Sequence, residues 1–291
     1  MCGEMVRLPA LAGSWYPGAE APLRAAVSSH LAAVRDTLAG NPVAIIVPHA
    51  GLAYSGPVAA HAYRSVMGKA YDVVVLVGPS HHFSFDGVAI YPNGVFETPL
   101  GPVPIASKVA DRLMGVPCIR THPAAHNREH SLEMQLPFLR CVLPKCPIVP
   151  LIIGRQDRET ILALADALSE ELVGLRPLVV ASTDLSHYFD ANRAASLDGV
   201  VIGYVNRFDP DGLLTEYERH PVNERGRYVA CGGGAAVAVM KVAANLGARE
   251  ARTMCYANSG DVSGDRDTVV GYLAATLGCF GLLRGEGQVE A

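Results

Sequence analysis

Short, continuous apolar runs alternate along this chain with stretches in which apolar residues recur every three or four positions. The continuous runs are typical of strands buried on both faces of a parallel sheet, and the periodic stretches are typical of amphipathic helices. Strands are predicted at 43–47, 71–77, 148–153 and 178–182, and helices at 23–38, 56–67, 158–173 and 232–246. This alternation predicts an α/β fold with a mostly parallel central sheet flanked by helices.

The pattern also predicts how the chain is divided and how some elements begin. We find no linker or internal repeat, which favours a single domain over residues 1–285, with 286–291 as a disordered tail. Segments 88–91 and 95–98, joined by Pro92, Asn93 and Gly94, predict a short hairpin. Ser55 followed by Pro57 is typical of a helix N-cap and the first helical turn.

Polar side chains follow three of the predicted buried strands. His49 comes after the strand that stops at Pro48, the pair His81 and His82 follows the next strand, and Asp184 with His187 follows 178–182. Carboxyl ends of parallel strands share one edge of a sheet, where ligands collect. A single histidine is more often structural, but several at one edge indicate a metal or acid/base site. The sequence does not decide between His81 and His82.

Two further features carry reactive side chains. Cys231 precedes three glycines and an apolar helix, so it is either a thiolate at a helix N-terminus or a buried small apolar residue. Three histidines, His122, His126 and His130, are spaced by four, a weak zinc-like pattern. Because Pro123 and Asn127 interrupt that segment, we expect His122 and His126 at the surface. Glu129, His130 and Glu133 precede or begin the next helix and are either groups that orient metal ligands or a solvated cluster that caps the helix.

Composition narrows the class of protein. Half of the 291 residues are hydrophobic, 18% are charged and the net charge is −4, so neither nucleic acid nor a membrane surface is an expected partner. No apolar run reaches the roughly 20 residues of a membrane-spanning helix. Seven scattered cysteines, an odd number without a CxxC pair, indicate free thiols in a reducing compartment. We therefore predict a cytoplasmic protein.

Several long motifs, in order, carry a resemblance over nearly the whole chain. The chain resembles the MEMO family (mediator of ErbB2-driven cell motility), whose prokaryotic members are called AmmeMemoRadiSam system protein B. The motifs are AGSWYPG from Ala12, VPHAGLAYSGPVAAHAY from Val47, VGPSHH from Val77, REHSLEMQLPFL from Arg128, ASTDLSHY from Ala181, ACGGGAA from Ala230 and VVGYLAA from Val269.

The resemblance implies a fold and a set of site residues. The family is similar to the class III extradiol dioxygenases, α/β proteins that hold Fe(II) on two histidines and a carboxylate. By this resemblance His49 and His81 are metal ligands, and Cys231 stands where the dioxygenases have a glutamate. It also implies that His187, with Asp184 beside it, is the acid/base, and that His130 belongs to the catalytic group.

The resemblance also implies a function with one main alternative. The first interpretation is a mononuclear, non-heme Fe(II) oxidoreductase acting on a small, possibly phenolic, substrate. A thiolate is softer than a carboxylate, so Cu or Zn are alternative metals. The alternative is a non-catalytic protein that binds metal or a peptide in the same pocket. The name of the prokaryotic relatives implies AMMECR-type and radical-SAM pathway partners, and the oligomeric state is left open.

Overall fold

The computed structural model of the chain describes residues 5–35 and 38–281, so the predicted tail at 286–291 lies outside the described residues. The strands are β1 (Val6–Arg7), β2 (Gly40–Val47), β3 (Val73–Pro79), β4 (Val88–Ile90), β5 (Val95–Phe96), β6 (Val103–Pro104), β7 (Ile119–Thr121), β8 (Ile148–Ile153), β9 (Pro177–Ser182), β10 (His187–Phe189), β11 (Glu250–Asn258) and β12 (Val269–Phe280).

Helices separate most of these strands. They are α1 (Glu20–Ala33), α2 (Leu52–Val66), α3 (Ser107–Leu113), α4 (Pro123–Asn127), α5 (Leu136–Val142), α6 (Arg158–Glu171), α7 (Ala191–Asn206), α8 (Pro210–Glu218), α9 (Arg225–Tyr228), α10 (Gly233–Asn245) and α11 (Gly260–Ser263), with a 3-10 turn at Glu133–Gln135.

A nine-stranded sheet, counted over the described residues, forms the centre of the molecule. Its order is β10-β12-β2-β9-β3-β8-β4-β7, with β11 paired to β12. The four strands β2, β9, β3 and β8 are mutually parallel, whereas β12 joins β2 and β4 joins β8 in antiparallel fashion. The α/β fold with a central, flanked sheet is therefore confirmed.

The parallel strands are the apolar runs of the sequence. Every residue of β3, β8 and β9 is buried, because helices cover the sheet. Helices α1 and α5 pack on α2, and α6 and α8 pack on α10, while both α2 and α10 contact β2. None of the helices in the described ranges is long and apolar enough to cross a bilayer.

Two local predictions were wrong. The segments around 88 and 95 do not form a hairpin: β4 pairs with β7 and β8 in the main sheet, and β5 pairs with β1 and β6 in a separate three-stranded sheet. Turn residues fix where a chain bends, but not which strands it joins afterwards.

The start of α2 was also placed wrongly. The helix begins at Leu52 with Gly51 as its N-cap, so Pro57 lies inside the helix and Ser55 caps nothing. The Ser55 hydroxyl instead donates to the Ala50 carbonyl at 2.8 Å. Starting the helix one turn earlier brings its N-terminus next to His49.

Candidate metal centre

Three neighbouring strand ends deliver the polar residues that the sequence placed at this edge. His49 follows β2, Asp184 follows β9 and His81 follows β3, and these strands are adjacent in the order β2-β9-β3. They open into a cavity of about 450 Å³, which we call the site cavity. It is lined by Trp15, His49, Ala50, His81, His130, Asp184, His187, Tyr188, Gly226, Arg227, Cys231 and Val270.

Three imidazoles meet at the floor of the site cavity. His49, His81 and His130 each offer a ring nitrogen, and these atoms lie within 4.8 Å of one another. The His81 and His130 rings are stacked with centroids 4.2 Å apart, and His49 meets both edge-on at 5.2 and 5.3 Å. His130 therefore belongs to the group of histidines that could hold a metal ion, which the spacing of the sequence did not reveal.

The tautomer of His49 is fixed by a hydroxyl in the strand beside it. Ser182 Oγ donates its single hydrogen to the Ser131 carbonyl at 2.5 Å and accepts from Gln135 Nε2 at 2.7 Å. Its remaining lone pair can only accept, so the 3.0 Å contact with His49 Nδ1 requires a protonated Nδ1. The lone pair of His49 Nε2 is thereby directed at the cluster, as a metal ligand requires.

A buried carboxylate orients the other two rings. Glu129 Oε1 lies 2.8 Å from His81 Nδ1 and 3.4 Å from His130 Nδ1. The same carboxylate accepts the backbone N–H groups of His81, His130 and Ser131. Glu129 thus holds the His81 Nδ1 by a hydrogen bond and lies near that of His130, which leaves the His81 Nε2 for a ligand, an arrangement common among metal-binding histidines.

The Cys231 sulfur joins the imidazoles. Cys231 Sγ lies 3.2 Å from His49 Nε2 and accepts the backbone N–H of Asp184 at 3.3 Å. The Cys231 backbone N–H in turn donates to the Asp184 carbonyl at 3.2 Å. Cys231 directly precedes Gly232, the N-cap of α10, so the thiol stands at the helix N-terminus that the sequence indicated.

Charges in the cluster favour a thiolate beside imidazolium. Burial alone would raise the pKa of Cys231, but the neighbouring His49 and His81 outweigh it and lower the pKa to about 6. Burial would lower the pKa of His81, but Cys231 and Glu129 outweigh it and raise the pKa to about 10. Burial, reinforced by His49 and His81, lowers the pKa of His130 to about 3. The cluster thus holds protons where a cation could replace them.

Asp184 and His187 have different positions relative to the cluster. The Asp184 carboxylate is buried and accepts the backbone N–H of His49 at 2.7 Å, so it fixes the loop after β2. His187 begins β10 and lines the site cavity, and its buried Nδ1 has no hydrogen-bond partner among the described residues. Asp184 therefore positions the loop that carries His49, whereas His187 lines the cavity and has a buried Nδ1 without a partner.

The remaining histidines of the sequence analysis lie outside the cluster. His82 is exposed, with its ring centroid 6.1 Å from that of His130, and it does not belong to the group of histidines that could hold a metal ion. His126 was expected at the surface, and this was wrong. It is 1% exposed, because α4 packs beneath β4 and its Nε2 bonds to the Ala89 carbonyl at 3.2 Å. His122 is half-buried.

Three residues that the sequence analysis did not single out also shape the site cavity. The Trp15 ring packs on His130 with centroids 4.8 Å apart. Tyr188 is 65% exposed and has φ of 63°, a strained conformation for a residue with a Cβ. Arg227 adds a cation. The sequence pattern did not connect Trp15 to the site, because Trp15 lies on a loop near the N-terminus, far along the chain from most of the other site residues.

A second buried carboxylate holds that loop in place. Glu133 forms an ion pair with Arg7, accepts the backbone N–H groups of Ala10 and Leu11, each at 2.9 Å, and accepts the Tyr16 hydroxyl at 2.5 Å. Arg7 also donates to the carbonyls of His126 and Glu129. Residues 7–16 are thus attached to the segment that carries His130.

The donor set suits a transition metal. Imidazole nitrogens and a thiolate bind Zn, Cu and Fe, whereas Mg and Ca prefer oxygen ligands. The ring nitrogens face one another, and each of the His49, His81 and His130 rings has its Nδ1 within reach of Ser182 or Glu129. These residues could therefore hold one metal ion without rearrangement of the backbone.

Comparison with known proteins gives a matching fold, relatives along nearly the whole chain and a family. A structure of an uncharacterized protein from Escherichia coli K12 matches the fold with a TM-score of 0.51 at 14% identity, covering 79% of this chain and 98% of that one. A MEMO1 family protein of Thermotoga neapolitana is 36% identical, covering 94% of this chain and 100% of its own length. One of Methanosarcina mazei is 35% identical, covering 92% and 98%. The model of the Memo family, described as "Memo-like protein", matches residues 7–276, and the chain belongs to this family.

Proposed function

We propose that the chain binds one metal ion through His49, His81 and Cys231, with His130 within reach as a fourth ligand, and that it is a non-heme Fe(II)-dependent oxidoreductase acting on a small, phenolic substrate. The observation that carries the proposal is a group of three imidazoles whose ring nitrogens lie within 4.8 Å of one another, with the Cys231 sulfur 3.2 Å from His49 Nε2. Ser182 contacts the Nδ1 of His49 and Glu129 that of His81, on the side of each ring away from the cluster. This arrangement supports a ligand role over a purely structural one.

The residues around the cluster support a reaction in which a hydroxyl loses its proton. When bound, Fe(II) would polarise a phenolic hydroxyl and supply a site for O₂. His187 lines the same cavity, so it is the group that would accept the hydroxyl proton. Trp15 and Tyr188 offer aromatic surface to a phenolic ring, and Asp184 keeps the His49 loop fixed.

The sulfur favours a second candidate, a metal- or peptide-binding protein without turnover. A thiolate with three imidazoles stabilises Zn or Cu(I) more than a carboxylate would, and a closed four-ligand set leaves fewer positions for a substrate. On this interpretation the site cavity would receive a peptide or deliver the ion, and His187 would have no catalytic role.

Reconstitution under anaerobic conditions tests the proposal. We expect one Fe(II) per chain, oxygen uptake with at least one phenolic substrate, and loss of that uptake without loss of iron in His187→Gln. Cys231→Ala should lose iron as well, by about tenfold or more in affinity, because a charged ligand is removed. Full iron loading with no oxygen uptake across a panel of phenols would support the non-catalytic candidate.

A further inference from the structure

A second cavity lies directly beside the cluster. Its volume is about 490 Å³, and we call it the side cavity. Its walls include His81, Gly226 and Cys231, which also line the site cavity. The wall between the two spaces thus contains two of the proposed metal ligands.

Arg225 gives the side cavity a cation whose charge is not balanced locally. Its Nε donates to the His220 carbonyl at 3.1 Å and its Nη1 to the Gln156 carbonyl at 3.4 Å. The guanidinium lies over the Tyr217 ring, 5.2 Å from the centroid. Within the described part of the chain no carboxylate lies within ion-pair distance of Arg225, and its Nη2 donates to no protein acceptor. The Arg225 guanidinium is therefore fixed in position and still has N–H groups that can donate to a ligand.

The other described residues that line the side cavity add positive charge and no negative charge. Arg155 stands at its edge, and the described residues that line it include no aspartate or glutamate. Arg155 is largely exposed and has Asp86 3.4 Å away, so Arg225 is the better placed of the two to bind an anion. Two apolar side chains in the same walls, Phe83 and Val222, are 43% and 71% exposed. The cavity therefore suits an oxyanion attached to an apolar body.

We infer that the side cavity is an oxyanion subsite in which Arg225 binds a carboxylate or phosphate group carried on an apolar or aromatic body. An Arg side chain binds such groups through paired N–H donors, which gives direction as well as charge. The further statement that this anion is part of the substrate of the metal centre rests on the proposed function. The subsite itself does not need a metal.

Binding to the metal-free, full-length chain separates the two statements. The probes are benzoate, benzamide as its uncharged counterpart, and inorganic phosphate, followed by ¹H–¹⁵N NMR. We expect benzoate to shift the amides of Gly154 and Asn223, which line only the side cavity, more than those of Ala50 and Val270, which line only the site cavity. Benzamide should bind at least about tenfold more weakly, because the charged hydrogen bond is absent. Tighter binding of phosphate than of benzoate would identify a phosphorylated ligand, and the reverse a carboxylate.

Variants test the residue directly. Arg225→Gln should weaken anion binding about tenfold and Arg225→Lys should retain part of it, whereas Arg176→Gln, a control at an exposed arginine outside both cavities, should change it by less than about twofold. Equal binding by wild type and Arg225→Gln, or shifts confined to the site cavity, would overturn the inference. If Arg225→Gln fails to fold, the pattern of amide shifts in the wild type decides alone. Because no metal is present, failure of iron-dependent activity leaves this result standing.

Discussion

Glu129 and Glu133 are four positions apart and both are almost fully buried, yet their surroundings differ in kind. Glu133 is enclosed by a permanent cation, a tyrosine hydroxyl and two backbone N–H groups. Glu129 shares its charge with two imidazoles whose other nitrogens face a cavity. The difference teaches that burial of a carboxylate does not identify a site. A site is indicated instead when the partner of the carboxylate has a second coordinating atom that faces a cavity.

Removing the charge of Glu133 should have the largest effect. In Glu133→Gln the Arg7 guanidinium, 2% exposed, would remain buried without its counterion. We expect a loss of about 3–5 kcal/mol in the free energy of unfolding, measured by urea denaturation. Molecules that remain folded should bind metal as the wild type does. A loss below about 1 kcal/mol would show that the Arg7–Glu133 pair does not fix the loop.

Removing the charge of Glu129 should affect metal binding more than folding. Glu129→Gln keeps the shape of the side chain but weakens its hold on the His81 and His130 rings. We expect metal affinity to fall by about 10- to 100-fold, measured by competition with a chromogenic chelator. Glu133→Gln, measured on its folded fraction, is the control. Equal metal affinity in Glu129→Gln and wild type would mean that Glu129, like Glu133, only supports the fold.

His126 should make the smallest contribution at neutral pH, and its effect should appear only in acid. Burial lowers the pKa of His126 to about 3, so below the ordinary value near 6.5 the unfolded chain binds a proton that the folded chain does not. Stability should therefore fall as pH decreases between about 6.5 and 3, by up to about 1.4 kcal/mol per pH unit from this residue. His126→Gln should flatten that dependence. An unchanged slope would assign the acid sensitivity to other groups.

Much of the fold could be predicted from the sequence because burial on both faces leaves a continuous apolar signature. The same logic brought His49, His81 and Asp184 to one edge, since strand ends in a parallel sheet share it. The roles of Glu129 and Glu133 could not be separated, because residues 128–132 are neither helix nor strand and no periodicity fixes their directions. Trp15 reaches the site on a loop, which the contact of Leu11 with Glu133 holds in place. Arg225 begins the short helix α9, and its position depends on its long-range contact with Gln156.

The Ser182 hydroxyl has a consequence for how quickly an ion could enter. Its hydrogen and both lone pairs are already committed, to Ser131, Gln135 and His49. The His49 ring therefore cannot flip without breaking a contact in a region closed to water. An arriving ion would meet the His49 Nε2 already in the orientation that coordination needs. Metal binding would therefore not have to wait for the His49 ring to rotate. Ser182→Ala would free the ring, and slower metal uptake in stopped-flow mixing would reveal that freedom.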